Sequence, residues 1–335
     1  SSSKSCSSSS SSSSCSSSSS SCNSSSGRTC HHCCKYDKCK KYEDEHENKR
    51  FRLLIMEYGG MDLKTYIDDK KNLSMDFWTN ARNLFDGVQL FAKHNLTHRD
   101  IKPANILLKP KTNQLVYIDF GLTDDMTKFK QKILDGIKTT KFHWTYPFEY
   151  GFASSAYPTA SSAHPFDKKF ADKLCKKIFT NKSSDEYKHV EKMFDMMDDR
   201  LSPLNRATKT AMIHESVESA RKFDSADKFL ESMIKSIDTF SLGLTMNTTL
   251  NAFYDEHKID DSFYREMHAL FAKMTNLNMI ERLSDLKTII SSILFKNSGA
   301  KAFFKAPCIT LFSISDLRWV RADVPNPTPV PKSFS

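Results

Sequence analysis

The chain has 335 residues, enough for one large domain or two smaller ones around a buried core, and a formal net charge of +9. Its lysines and arginines are dispersed among acidic residues with no long basic run, so the charge describes a solvated surface and no nucleic-acid partner is expected. No stretch reaches the roughly 20 consecutive apolar residues of a membrane span, and the start lacks the apolar segment of a secretory leader, so no membrane association and an intracellular, cytoplasmic location are expected.

Residues 1–27 are almost wholly serine, with nothing apolar to offset the entropy of ordering the backbone, and are expected to form a disordered low-complexity tail. Residues 28–50 are rich in charge, cysteine and histidine. Cys30, His31, His32, Cys33, Cys34 and Cys39 offer thiolate and imidazole ligands for zinc, but a structural zinc site gathers two ligand pairs across a folded loop, and no second pair follows. Of the nine cysteines only Cys175 and Cys308 lie beyond residue 40, which is no disulfide framework for a large domain.

The short apolar run from Phe51 to Met56 predicts a strand, closed by Glu57, Tyr58, Gly59 and Gly60, and Met61 to Ile67 then predicts a helix. Phe77, Trp78, Ala81, Leu84, Phe85, Val88, Leu90 and Phe91 pattern an amphipathic helix that runs to His94. The segment His98-Arg99-Asp100-Ile101-Lys102-Pro103-Ala104-Asn105 follows, and then Asp119-Phe120-Gly121. Between them Ile106 to Leu108 and Leu115 to Ile118 are short apolar strands joined by the turn-rich Lys109 to Gln114, so one hairpin would hold Asn105 and Asp119 on facing ends. Thr123 to Glu149 is polar, rich in threonine and lysine, and closes on Trp144-Thr145-Tyr146-Pro147-Phe148-Glu149. Helical patterns recur at Ala171 to Phe179, Tyr187 to Met197 and Ala211 to Phe229. Residues 299–335 end in Pro325, Pro327, Pro329 and Pro331, whose spacing forms no P-x-x-P ligand and predicts a plain extended tail.

The pattern H-R-D-x-K-x-x-N followed by D-F-G resembles the catalytic loop (98–105) and metal-binding loop (119–121) of eukaryotic-type serine/threonine protein kinases. The strand, glycine joint and helix before it are similar to the family's hinge (57–60), with Met56 at the gatekeeper position. Residues 119–149 resemble an activation segment ending in a variant of the A-P-E signature. Ile237 to Gly243 resembles the start of the central helix of the large lobe, with Phe240 in place of tryptophan, and Glu281 to Ser284 resembles the arginine-bearing segment near its end. The resemblance implies an α+β, protein-kinase-like fold over 51–298: a mainly helical C-terminal lobe, a reduced or vestigial N-terminal lobe, and a helical insertion at about 152–235. The divergent spellings and the serine run are similar to those of kinases encoded by large DNA viruses, in which case the location would be the host cell.

The same resemblance implies the chemistry. Asp100 would orient a substrate hydroxyl and accept its proton, and Lys102 would reach the transferring phosphate. Asn105 and Asp119 would bind Mg²⁺, a hard ion that takes oxygen ligands and shares the remainder with ATP phosphates and water. Backbone groups of Glu57 and Tyr58 would meet the adenine edge, with Leu107 as the floor beneath it. Gly121 permits the turn after the aspartate. Arg99 would pair with a phosphorylated residue of the activation segment, for which Thr139, Thr140 and Thr145 are candidates. Glu149 and Arg282 would form a buried ion pair, Asp238 would hydrogen-bond the catalytic-loop backbone, and His98 would be an internal scaffold. Trp144 and Trp319 are read as packing residues, and His143 is given no role.

The family's remaining nucleotide-binding parts cannot be written from the residues before the hinge. Gly27 is the only glycine before Gly59, and Lys35, Lys38, Lys40, Lys41 and Lys49 sit in charged surroundings without a strand pattern. Two readings therefore compete. One is a serine/threonine kinase acting on a protein substrate, with a partner protein completing the small lobe. The other is a pseudokinase or scaffold that uses the large lobe as a binding module.

Overall fold

A computed structural model describes residues 58–135, 143–151 and 168–283. The chain divides into two compact units, Ser1–Glu57 and Tyr58–Ser335, and every described residue belongs to the second. The serine tail, the Cys30 to Cys39 cluster, the run from Phe51 to Met56, Glu57, Thr139, Thr140 and the proline-bearing tail lie outside the described residues.

Strand β1 (Met61–Asp62) pairs antiparallel with β3 (Ile106–Leu108), and β3 pairs with β4 (Leu115–Tyr117), giving a three-stranded sheet in the order β1-β3-β4. The register sets Ile106 opposite Tyr117 and Leu108 opposite Leu115, so the hairpin forms where two apolar runs flank a turn-rich link. Met61 and Asp62 are strand rather than the start of a helix, because they pair with Leu108 and Leu107. Helix α1 (Leu63–Asp68) begins after them, and Asp62 caps it by accepting a hydrogen bond from the Thr65 N–H at 2.9 Å. Gly60, at φ 116, makes the entry to β1 possible: a Cβ there would lie 2.1 Å from the Leu108 carbonyl oxygen.

Helix α2 (Asp76–Lys93) buries Phe77, Trp78, Ala81, Leu84, Phe85 and Val88, the stripe expected of a helix with one face inward. Strand β2 (Leu96–Thr97) follows and pairs with β5 (Asp124–Asp125), which leads into α3 (Met126–Leu134). After residue 168 come α4 (Lys168–Thr180), α5 (Asp185–Met197), α6 (Arg206–Arg221), α7 (Ala226–Asp255) and α8 (Asp261–Met274). Ser184, Asn205, Ser225 and Asp260 cap α5 to α8, each accepting a hydrogen bond from the N–H three residues on.

The pattern from Ala211 to Phe229 does not form one helix. It breaks after Arg221, and the Ser225 cap starts α7, so Asp238 lies well inside a 30-residue helix rather than at its beginning. That helix is the spine of the fold, since its central turns are buried on all sides. Leu230, Met233, Ile234, Ile237 and Phe240 join a core built with α3, α4, α5, α6 and the 143–151 segment. Leu242, Met246, Leu250 and Phe253 join a second core with α1, α2 and α8. Each such side chain contributes about 1.5–3 kcal/mol when fully buried, which is why α7 needs no amphipathic stripe. Gly243 lets α8 approach, because a Cβ there would stand 2.8 Å from Thr275 Cγ2 and 2.9 Å from Met274 Cβ.

Candidate active site

The loop from His98 to Asn105 is held from beneath by α7. The Asp238 carboxylate, buried, accepts the His98 N–H at 2.7 Å on Oδ2 and the Arg99 N–H at 2.9 Å on Oδ1. Arg99 sits at φ 66, a left-handed conformation that costs a non-glycine residue on the order of 1 kcal/mol or more unless its surroundings impose it. The paired amides impose it. Burial pushes the Asp238 carboxyl above its usual range, against the opposing pull of those two N–H groups and of His98.

His98 is fully buried, and burial lowers its pKa. Its Nε2 lies 3.1 Å from the Ile118 carbonyl oxygen, and its Nδ1 accepts the Asp100 N–H at 3.3 Å, which together place the proton on Nε2. The ring packs against Phe120, with centroids 4.9 Å apart. His98 thus ties the strand before Asp119 to the loop that carries Asp100.

Asp100, Lys102 and Asn105 form one cluster. Lys102 Nζ donates to both Asp100 carboxylate oxygens, at 2.9 and 2.8 Å, and Asn105 Nδ2 donates to Asp100 Oδ2 at 2.7 Å and to its carbonyl oxygen at 2.9 Å. Pro103 to Asn105 form a 3₁₀ turn that brings the amide back over Asp100. The Ile118 N–H donates to the Asn105 carbonyl at 3.0 Å, so the β3-β4 hairpin delivers Asp119 next to Asn105. Asp119 adopts φ 61 and is exposed, with Oδ1 accepting the Gly121 N–H at 3.3 Å.

The donor set fits Mg²⁺. With its amide nitrogen committed to Asp100, Asn105 has its Oδ1 to offer, and Asp119 has an exposed carboxylate, so two hard oxygen ligands sit at neighbouring backbone positions. No group of three His, Cys, Asp or Glu side chains that would hold a metal occurs among the described residues, so an ion at these two ligands would take its remaining ligands from phosphate and water.

Leu107 lies in β3 beneath the glycine joint, where a Cβ on Gly59 would come 2.5 Å from Leu107 Cδ1. Tyr58, at the start of that joint, is 75% exposed. Lys102, Asp100, Asn105, Leu107 and Asp119 are therefore carried by one continuous piece of loop and hairpin.

Arg99 has a different partner from the one expected. Its guanidinium is 3.7 Å from the Asp124 carboxylate, donates to the Leu122 carbonyl at 3.2 Å and lies 3.8 Å over the Phe129 ring. Lys132 binds the same Asp124 carboxylate. Asp124 is brought to Arg99 because β5 pairs with β2 just before it. Thr145 is not an available acceptor: it is fully buried, its carbonyl accepts from Ser241 Oγ at 2.7 Å, and its hydroxyl lies 2.8 Å from His143 Nδ1.

Glu149 and Arg282 are both buried and form a two-pronged ion pair, with Nη1 bound to Oε1 and Nη2 2.9 Å from Oε2. Arg282 also donates to the Asn276 carbonyl at 2.7 Å and to Ser236 Oγ at 3.0 Å. Arg282 therefore joins the end of the 143–151 segment to α7 and to the turn after α8.

Sequence reasoning passed over a second group around Asp100. His143 is half-buried, and its ring centroid is 4.9 Å from Trp144 and 5.5 Å from His189 of α5. Burial, with the charges of His189, Lys102 and Lys192, pulls its imidazole down to about 4. Lys192 Nζ lies 4.1 Å over the Trp144 ring. No local signal marks these residues, since they come from two segments distant in sequence.

Comparison with known proteins agrees with the geometry. Residues 16–148 match the protein kinase domain family. Calcium-dependent protein kinase 4 of Plasmodium berghei (strain Anka) is 26% identical over 274 residues, covering 76% of this chain and 49% of that protein. The Plasmodium falciparum (isolate 3D7) protein of the same name is 25% identical over 218 residues, covering 59% and 41%. Dual specificity protein kinase Ttk of Danio rerio is 31% identical over 91 residues, covering 27% and 9%. No solved structure matches the chain. The chain spans about half the length or less of these relatives. These similarities support a eukaryotic-type protein kinase, and the mainly helical fold with few strands is consistent with the large lobe of that family. Among the described residues no helix is long and apolar enough to cross a membrane.

Proposed function

We propose that the chain transfers the γ-phosphate of ATP to a serine or threonine hydroxyl of a protein. The observation that carries this reading is the Asp100 carboxylate held by Lys102 and Asn105, beside the ligand oxygens of Asn105 and Asp119. Such a reaction needs little covalent chemistry from the protein; it needs orientation and neutralised charge.

In this reading Asp100 accepts the hydroxyl proton while the hydroxyl oxygen forms a bond to the γ-phosphorus and the bond to the bridging oxygen of ADP breaks. Lys102 moves from the Asp100 carboxylate toward the phosphoryl oxygens, and Asn105 keeps the carboxylate aimed by its 2.7 Å hydrogen bond. Asn105 and Asp119 would hold Mg²⁺, which neutralises phosphate charge when bound. Leu107 would supply an apolar floor for the adenine, with the backbone of Tyr58 along its edge.

The test is incubation of the full chain with γ-labelled ATP, Mg²⁺ and peptides carrying serine, threonine or tyrosine. Label on serine or threonine that disappears in Asp119→Ala supports transfer. Nucleotide-dependent stabilisation in a thermal melt with no label on any peptide overturns it in favour of the binding-module reading.

A further inference from the structure

Lys192 occupies a place that the proposed transfer does not use. It comes from α5, far along the chain from the catalytic loop, yet it is close enough to Lys102 and Lys64 for their charges to lower its pKa, together with burial, which is the larger cause. Its Nζ rests 4.1 Å over the ring of Trp144, which belongs to the segment ending at Glu149. His143 and His189 line the same flank, with ring centroids 5.5 Å apart.

The charges there are unequally answered. Lys102 is bound to Asp100, Lys64 to Asp68, Lys177 to Glu186, and Lys188 lies within 3.9 Å of Asp185. Lys192 has no carboxylate within ion-pair distance among the described residues; its contact is the face of Trp144, which steadies an ammonium without neutralising it. Among the described residues the Lys192 ammonium is thus a positive charge without a paired carboxylate on the Lys102 flank of Asp100. An acceptor segment laid along that flank with an acidic side chain supplies the missing counter-charge, whereas a basic segment meets the unpaired charge of Lys192.

We propose that Lys192, steadied on Trp144, selects substrate segments that carry an acidic residue beside the acceptor hydroxyl. This rests on the phosphotransfer reading for the hydroxyl but not for the charge preference. Because Lys192 is exposed and touches no reacting group, its effect belongs in KM and not in kcat.

The test uses the full chain, wild type, Lys192→Gln and Lys192→Glu, with two fluorescent peptides that share one serine and differ only in flanking Asp/Glu or Lys residues. Transfer kinetics are measured with Mg-ATP, and equilibrium binding by anisotropy with a non-hydrolysable ATP analogue. The wild type is expected to favour the acidic peptide by roughly three- to tenfold, the range of one partly exposed charge pair, with Lys192→Gln abolishing and Lys192→Glu reversing the preference at constant kcat. Equal transfer to both peptides, or a preference unchanged in Lys192→Glu, overturns the inference and leaves phosphotransfer standing. An acidic preference in binding that Lys192→Glu reverses, with no transfer to either peptide, keeps the charge selection and overturns phosphotransfer. Neither preference nor transfer overturns both.

Discussion

Arg282→Met isolates the interaction that closes the large lobe. The arginine and Glu149 have side chains 1% and 0% exposed, so removing the cation leaves a carboxylate in a dry site with no counter-charge. Breaking a buried pair in this way costs about 3–5 kcal/mol, a large share of the roughly 5–15 kcal/mol that holds an ordinary domain together. The loss also strips the Asn276 carbonyl and Ser236 hydroxyl of a donor. Replacing both charges, as Glu149→Leu with Arg282→Met, removes the stranded charge along with its partner. The double variant is therefore expected to cost less than the sum of the single ones by about 2–3 kcal/mol. Urea unfolding followed by circular dichroism gives all the required values. A cost below about 1 kcal/mol for Arg282→Met, or simple additivity in the double variant, would refute the claim that this pair is buried and mutually dependent. Glu149 closes the segment that carries His143 and Trp144, so phosphate transfer should fall in Arg282→Met at temperatures where the fold persists.

Further outcomes follow from single positions. Gly60→Ala, at φ 116 and against the Leu108 carbonyl, is expected to lose about 2 kcal/mol or more, read as a lower urea midpoint; an unchanged midpoint would contradict the β1-β3 pairing. Asp124→Asn removes the carboxylate between Arg99 and Lys132 and should cost about 1–3 kcal/mol, whereas no loss would show that Arg99 does not depend on it. His143 has a folded-state pKa of about 4, below the ordinary 6.5, so its neutral form contributes fully above pH 6.5 and that contribution disappears as pH falls toward 4. After discounting for the half-exposed ring, the wild type should lose about 1–2 kcal/mol more than His143→Gln between pH 7 and pH 4.5 in parallel urea titrations. Parallel curves for the two proteins would remove His143 from the account.

Elements set by local pattern are legible in the sequence itself. Helix α2 announces itself because six of its side chains return to one face, and the β3-β4 hairpin because its strands are punctuated by a polar turn. Elements set by distant partners are not. Met61 and Asp62 become strand only because Leu107 and Leu108 arrive opposite them. The boundary at Ser225 is hidden because neither glycine nor proline separates Arg221 from Ala226.

The site divides in the same way. Asp100, Lys102, Asn105 and Asp119 are legible as a group because they are nearly contiguous, and the hairpin between them needs only local pairing. The partner of Arg99 is not, since Asp124 reaches it through the β2-β5 pairing. Nor are His143, His189 and Lys192, which converge through the packing of α5 on the segment before Glu149.

The central claim is that Asp100 serves phosphate transfer, and its most direct test is the single-turnover rate of wild type against Asp100→Asn at saturating Mg-ATP. Asparagine keeps the shape of the side chain and cannot accept the proton, so the rate should fall by roughly 10²-fold or more while nucleotide affinity stays within about twofold. Equal rates in the two proteins, with both binding nucleotide, would contradict the assignment of Asp100.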